Sequence, residues 1–298
     1  MRKLWNMKKI FAVLDFTHEV LKTSQTIAYL NDFANKNALP ITWMIDQTAA
    51  ILEFADSQSA LMSELENKLR VLHVDINYLP AFPSKKRLFL ADMDSTMIEQ
   101  ECIDELADRV GLKEKVSHIT ERAMRGEIAF EPALRERVAL LKGLPITVVD
   151  ELITHKITLM QGAKTAITTM KAHGTYTCLV SGGFTVFTSK IAAMLGFDEH
   201  RANTLVVENG YLTGEVLEPI LGQEAKRQTL IELRGKLNLE PHDTMAVGDG
   251  ANDLAMLQEA GLGIAFRAKP AVAAAAHTRI TFGDLTGLLH LQGYMKSV

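Results

Sequence analysis

Leu88-Phe89-Leu90-Ala91 runs without a polar break into Asp92-Met93-Asp94-Ser95-Thr96, and this short stretch constrains the fold more than any other. A continuous apolar run is how a strand buried on both faces reads, and such strands belong to parallel sheets covered by helices. In open parallel sheets the chemistry gathers beyond the carboxyl ends of the strands, where Asp92 and Asp94 stand. One residue apart, the two carboxylates leave the strand end in similar directions and repel, so they call for a cation, a shared proton or solvent. A hard divalent cation such as Mg2+ answers that need with oxygen ligands and exchangeable waters. Taken alone, Asp-x-Asp after a strand is as readily a turn, because Asp side chains bond neighbouring backbone. An EF-hand loop is excluded, since counting from Asp92 puts Met97 at its glycine position and Ile103 at its bidentate glutamate position.

The rest of the chain supplies the sheet. From Thr165 onward, helices closed by Gly174 and Gly196 alternate with strands at Tyr176–Val180, Thr244–Val247 and Leu262–Ala265, which predicts a doubly wound parallel α/β fold. Asn209-Gly210 marks a hairpin expected to project from the sheet edge. Residues 99–156 read as helices, with Cys102, Ile103, Leu106 and Val110 on one stripe, and interrupt the alternation as a cap inserted over the site. Before all this, residues 1–80 contain no glycine, the first of the 19 being Gly111, and their periodicity gives strand Ile10–Leu14, helix Val20–Asn35, strands Ile41–Ile45 and Ala49–Phe54, helix Ser59–Leu69 and strand Val71–Leu79. That β-α-β-β-α-β order is a small ferredoxin-like α+β domain. Residues 81–87 form a proline and basic linker, and residues 88–298 are the larger domain. At 298 residues and 47% hydrophobic, the chain can give each part a core.

Three further strand ends carry polar groups. Ser181-Gly182-Gly183 offers a hydroxyl and glycine amides able to bind phosphate at the head of the next helix, although a tight turn explains it as well. Gly248-Asp249-Gly250-Ala251-Asn252-Asp253 follows a strand with three acidic or amide side chains, of which a helix cap accounts for one. Lys226 lies between them in a helix of mostly solvated charges.

In that order, Asp92-Met93-Asp94-Ser95-Thr96, Ser181-Gly182, Lys226 and Gly248–Asp253 resemble the four motifs of haloacid-dehalogenase-like phosphatases. More narrowly, Glu101-Cys102-Ile103-Asp104-Glu105 and Phe130–Val138 resemble the phosphoserine phosphatases, over about residues 85 to 294, and the first domain loosely resembles their ACT-like extension. The resemblance implies a Mg2+-dependent hydrolysis of O-phospho-L-serine, the last step of serine biosynthesis. Asp92 is then the nucleophile, Asp94 the general acid and base, and Asp92, Asp249 and the Asp94 backbone carbonyl the metal ligands. Lys226, Ser181 and Gly182 neutralise the phosphate, while Asn252 and Asp253 position the reacting groups. Glu101 takes the substrate ammonium, Arg137 its carboxylate, and Phe130 and Met124 line the closed pocket. ACT modules that hold an amino acid use a glycine-bearing turn after the first strand, whereas this chain has Asp15-Phe16-Thr17-His18; pairing of two copies through this domain is a separate expectation.

Mixed charge with a net of -4 gives no basic stripe for nucleic acid, and no apolar run approaches a membrane span. Cys102 and Cys178 lack metal or disulfide spacing, which fits a reducing cytoplasm, and Met7 is a second candidate start. Two rivals stay open. One is a phosphatase for phosphothreonine or an amino alcohol phosphate; the other is a phosphorylated switch, against which the cap and the second aspartate speak.

Overall fold

The computed structural model describes residues 9–15, 23–44, 47–124 and 127–295. The first sheet is built from β1 (Lys9–Asp15), β2 (Ile41–Met44), β3 (Ala49–Ala55) and β4 (Asp75–Leu79), antiparallel in the order β2-β3-β1-β4. Alternation along β1 sends Ala12 and Leu14 to one face, where α1 (Thr23–Lys36) and α2 (Ser59–Val71) pack through Leu30, Phe33, Leu65 and Leu69. Phe11 and Val13 point the other way, with Ile51 and Leu79, into the core shared with the rest of the molecule. This sheet is therefore covered on both faces, and among the described residues the pairing expected through it has only the edge at β2 uncommitted. The strand predicted from Val71 starts at Asp75 instead: α2 runs on to Val71 and the chain reverses at His73, whose φ is 55°. The first residues of the predicted helix, Val20–Lys22, together with Ile45, the turn from Phe16 to His18 and both candidate starts, lie outside the described residues.

Six parallel strands form the larger sheet: β5 (Leu88–Ala91), β6 (Tyr176–Phe184), β7 (Glu199–Asn203), β10 (Thr244–Gly248), β11 (Leu262–Phe266) and β12 (Thr278–Ile280), in the order β12-β11-β10-β5-β6-β7. The chain starts in the middle at β5, moves outward through β6 and β7, and returns to β10 on the other side. The order thus reverses between β5 and β10, which is where α/β sheets open a ligand crevice. Helices α7 (Ala163–Ala172), α8 (Thr185–Leu195), α9 (Gln223–Lys236), α10 (Leu254–Glu259), α11 (Pro270–Ala275) and α12 (Gly287–His290) cover the sheet. Among the described residues, no helix is long and apolar enough to cross a membrane.

The cap comprises α3 (Cys102–Asp108), α4 (Lys113–Met124), α5 (Phe130–Ala139) and α6 (Val148–His155). Its two ends are tied together as a neck, Glu99 N–H donating to Thr158 O at 3.0 Å and Met160 N–H to Met97 O at 2.9 Å. Val110 does not join the apolar stripe, because α3 stops at Asp108 and leaves it 37% exposed. The hairpin β8 (Leu205–Glu208) and β9 (Tyr211–Val216) turns at Asn209 and Gly210, φ 50° and 84°, as the dipeptide demands. It does not project freely. Gly143 N–H and Ile146 N–H donate to Leu212 O and Gly210 O, and Leu212 N–H to Leu144 O, so the hairpin clasps the cap.

The two sheets meet edge to edge. Asn77 on β4 accepts from Arg279 N–H and donates to Arg279 O, both at 2.8 Å, so its side-chain amide stands in for a peptide beside β12. Asp75 accepts the backbone N–H groups of Thr281, Phe282 and Gly283 at 2.8–2.9 Å. Each buried acceptor meets backbone that a sheet edge would otherwise leave unpaired.

Candidate active site

Asp92 follows β5 and Asp249 follows β10, so the crevice at the topological switch is flanked by carboxylates from both strands. Asp92 Oδ1 receives Lys226 Nζ at 2.7 Å and the Met93 N–H at 2.8 Å, which leaves Oδ2 uncommitted. Lys226 is fully buried, unlike the solvated lysine its helix pattern suggests, and also donates to Asp253 Oδ1 at 2.7 Å. Burial pulls its ammonium down, but Asp253 and Asp92 outweigh that and hold it above the ordinary lysine range. Asp253 lies back under the strand end, its Oδ2 accepting Gly250 N–H at 3.1 Å. Gly248 is there for space: a Cβ on it would fall 2.4 Å from the Asp253 carboxyl.

Asp92, Asp249 and Asp253 bring oxygen atoms within 4.8 Å of one another, with the Lys226 ammonium as counter-charge. Burial and then Asp253 push the Asp92 carboxyl well above its usual range and that of Asp249 up to about 6. Surplus negative charge and an all-oxygen donor set fit a hard divalent cation. Both Asp253 oxygens are already engaged, which leaves Asp92 Oδ2 and Asp249 as the carboxylate oxygens of this group able to coordinate. Thr96 adds a hydroxyl bond to Asp249 Oδ1 at 3.3 Å.

Asp94 is held by two donors from opposite sides, the Cys102 N–H to Oδ1 at 2.8 Å and the Ser181 hydroxyl to Oδ2 at 3.2 Å. Burial nevertheless raises its pKa, against the pull of the Cys102 bond, so it favours the protonated form more than an ordinary aspartate. Ser181-Gly182-Gly183 is not a turn before a helix. β6 continues through it to Phe184 with an irregular register, and α8 begins only at Thr185. Gly183 N–H donates to Ser181 Oγ at 2.8 Å, and Asn203, at the end of β7, donates to Gly182 O at 2.8 Å and accepts Leu221 N–H at 2.6 Å. Asn203 thereby fixes the extended segment that faces Asp94, and the sequence reading missed it, since Glu199-His200-Arg201-Ala202-Asn203 has no strand-like apolar pattern.

Glu101 accepts the Ser95 hydroxyl at 2.6 Å, and Ser95 itself has φ 54°, a left-handed conformation uncommon for a residue with a Cβ. Desolvation, then the charge of Asp94, push the Glu101 carboxyl up to about 7, against the pull of the Ser95 bond. Arg137, half-buried on α5, donates Nε–H to Ala133 O at 3.2 Å and Nη1–H to Thr120 Oγ1 at 3.1 Å. Its other three N–H groups have no acceptor among the described residues. Burial pulls its pKa down, partly offset by the fields of Asp104, Glu101 and Asp94, which places it within electrostatic reach of the carboxylates. Phe130 packs over Gly182 and Gly222, where an added Cβ would meet its ring at 3.2 and 3.3 Å. Beside it opens a cavity of about 330 Å³ lined by Glu131, Ile220 and Glu224. Asn252 lies against Gly250 without a side-chain hydrogen bond among the described residues, and the Met124 side chain lies outside them. A second cavity, bounded by Arg87, Lys171 and Tyr176, is at the opposite ends of the strands and far from these groups.

The model of the haloacid dehalogenase-like hydrolases matches residues 89–258. A phosphoserine phosphatase of Vibrio cholerae is 39% identical over 260 residues, covering 86% of this chain and 78% of its own length. One from Archaeoglobus fulgidus is 44% identical over 226 residues, 75% of this chain, and this chain spans only 65% of it. Among solved structures, a HAD family hydrolase of Salmonella enterica serovar Typhi superposes with a TM-score of 0.83 at 29% identity, over 96% of this chain and 99% of that one. With carboxylates at the switch point, a buried lysine between them and a helical cap above, the chain belongs to the haloacid dehalogenase-like hydrolases.

Proposed function

We propose that this hydrolase cleaves O-phospho-L-serine to L-serine and phosphate, closing serine biosynthesis in the cytoplasm. The observation that carries the reading is Arg137: a half-buried guanidinium with three unaccepted N–H groups, within electrostatic reach of Glu101 and Asp94, is built to receive an anion. A ligand with a phosphate for the crevice, an ammonium for Glu101 and a carboxylate for Arg137 satisfies all three at once. The relatives named phosphoserine phosphatase support it.

In this mechanism Asp92 Oδ2 attacks phosphorus in line, forming an aspartyl-phosphate as the serine oxygen leaves. Asp94 gives its proton to that oxygen, then takes one from the water that breaks the Asp92–phosphorus bond and frees phosphate. Lys226, the Ser181 hydroxyl and the Gly182 amide neutralise phosphate oxygens. Asp253 holds Lys226 in place, and Asn252 orients the substrate side of the same loop. Mg2+, held by Asp92, Asp249 and the Asp94 carbonyl, would supply charge neutralisation between nucleophile and phosphate. Phe130 closes the pocket from the cap. Residues 1–80 are an ACT-like module, 81–87 a linker and 88–298 the catalytic domain with its cap at 99–156, and any pairing through the module uses the β2 edge.

Phosphate release from O-phospho-L-serine and from a panel of other phosphomonoesters, with and without Mg2+, tests this directly. Strong preference for phosphoserine, lost with EDTA, is the expected result; metal-dependent turnover of the whole panel alike would discard the substrate. Arg137→Ala should lower kcat/KM for phosphoserine roughly 10- to 100-fold, the worth of a lost charge-assisted bond, and leave O-phosphoethanolamine, which lacks the carboxylate, nearly unchanged. A pH series adds a second check. Glu101 must be ionised to hold the ammonium, and its pKa of about 7 means that the ionised fraction falls as pH drops through that value. KM for phosphoserine should therefore climb between about pH 8 and pH 6, and Glu101→Gln should flatten the climb at a uniformly high KM.

A further inference from the structure

The fork of Arg137 is held by two acceptors on two different helices. Nε–H goes to Ala133 O, one turn back on α5, and Nη1–H crosses to Thr120 Oγ1 on α4. Thr120 has a second bond, its hydroxyl donating to Val116 O at 3.1 Å. That bond consumes the only hydroxyl proton, so the oxygen can meet Arg137 only with a lone pair. Two fixed acceptors define the plane of a guanidinium, and a planar fork recognises a carboxylate only when its plane is set. Among the described residues, Arg137 has no carboxylate partner within ion-pair distance to do this instead.

We propose that Thr120 is a positioning residue for substrate selectivity: its hydroxyl, oriented by the Val116 carbonyl, sets the plane in which Arg137 receives the substrate carboxylate. The proposal rests on the reading of Arg137 given above. It makes recognition of the α-carboxylate a joint property of α4 and α5, so that the site discriminates only while these two cap helices keep their register.

The test compares Thr120→Val, which keeps the shape and removes the oxygen, with Thr120→Ser, which restores it. Each is assayed on O-phospho-L-serine and on O-phosphoethanolamine, alongside Arg137→Ala and the Thr120→Val/Arg137→Ala double variant. Thr120→Val should raise KM for phosphoserine about tenfold with kcat within about twofold, leave phosphoethanolamine unchanged and be rescued by Thr120→Ser. In the double variant it should add nothing to Arg137→Ala, since it acts only through that side chain. Equal losses on both substrates, additivity in the double variant, or an unaltered KM would overturn the proposal. Should Arg137→Ala itself affect both substrates equally, the carboxylate reading falls and this proposal with it; should Arg137→Ala discriminate where Thr120→Val does not, only the role of Thr120 falls. Thr120→Ala, which leaves room rather than a methyl group, replaces the valine variant if that one does not fold, and the same outcomes decide.

Discussion

Asp92→Asn should leave the fold intact and reduce turnover by about four orders of magnitude or more, the scale of losing a covalent nucleophile. The amide oxygen of asparagine can still accept the Lys226 and Met93 bonds that Asp92 Oδ1 accepts, so the strand end has reason to keep its shape. What vanishes is the uncommitted Oδ2, the atom that forms the bond to phosphorus. Thermal unfolding close to wild type together with lost phosphate release is the expected pair of results. Acid quenching of the wild-type enzyme during turnover should, in addition, leave one phosphoryl group on the peptide that carries Asp92 and none in the variant. Residual activity within about tenfold of wild type would mean that another group attacks, and the aspartyl-phosphate route would have to be abandoned.

Lys226→Met is expected to damage stability as well as activity. Its ammonium is fully buried and bonded to Asp92 and Asp253, and removing one partner of a buried ion pair strands the other. The cost is about 3–5 kcal/mol, largely the penalty of carboxylates left without a counter-charge. Chemical denaturation read at the midpoint and slope measures it. The origin of that penalty can be separated from lost packing by adding Asp253→Asn. The amide oxygen still accepts Gly250 N–H while one negative charge disappears, so the double variant should recover part of the stability and none of the turnover. Equal destabilisation by the single and double variants would show that methionine fails for shape rather than charge.

The strand end at Asp92 was legible because its environment is written locally: four consecutive apolar residues are all buried, and the carboxylates follow at once. Asn209-Gly210 and the glycines closing α7 and α8 were legible for the same reason, as each residue type is selected by its own backbone conformation. Failures came where a distant partner decides. β7 is an edge strand, mostly polar and half-exposed up to the buried Asn203, so periodicity passed it by and Asn203 with it. Ser181-Gly182-Gly183 has the composition of a turn, yet β6 stays extended through it, held from the side by Asn203, which the Leu221 backbone in turn fixes. Val71 looked like the start of a strand and became the end of α2, since the residue that must face the larger sheet is Asp75, committed to backbone more than 200 positions onward. Nor does any sequence pattern tell that Thr120 reaches Arg137, a crossing from one cap helix to the next.

The edge-to-edge junction also has a bearing on how the chain is made. Asn77 and the Arg279 backbone it imitates are 202 positions apart, and Phe11, Val13 and Ile51 share their core with Leu285, Leu288 and Tyr294, more than 230 positions onward from Ile51. At 5–20 residues per second, roughly 10–40 s separate synthesis of the two partners. For that interval the nascent first sheet carries an uncovered apolar side and an unsealed edge on the ribosome. It is a landing place for a chaperone until residues 279–294 fold back onto β1 and β4.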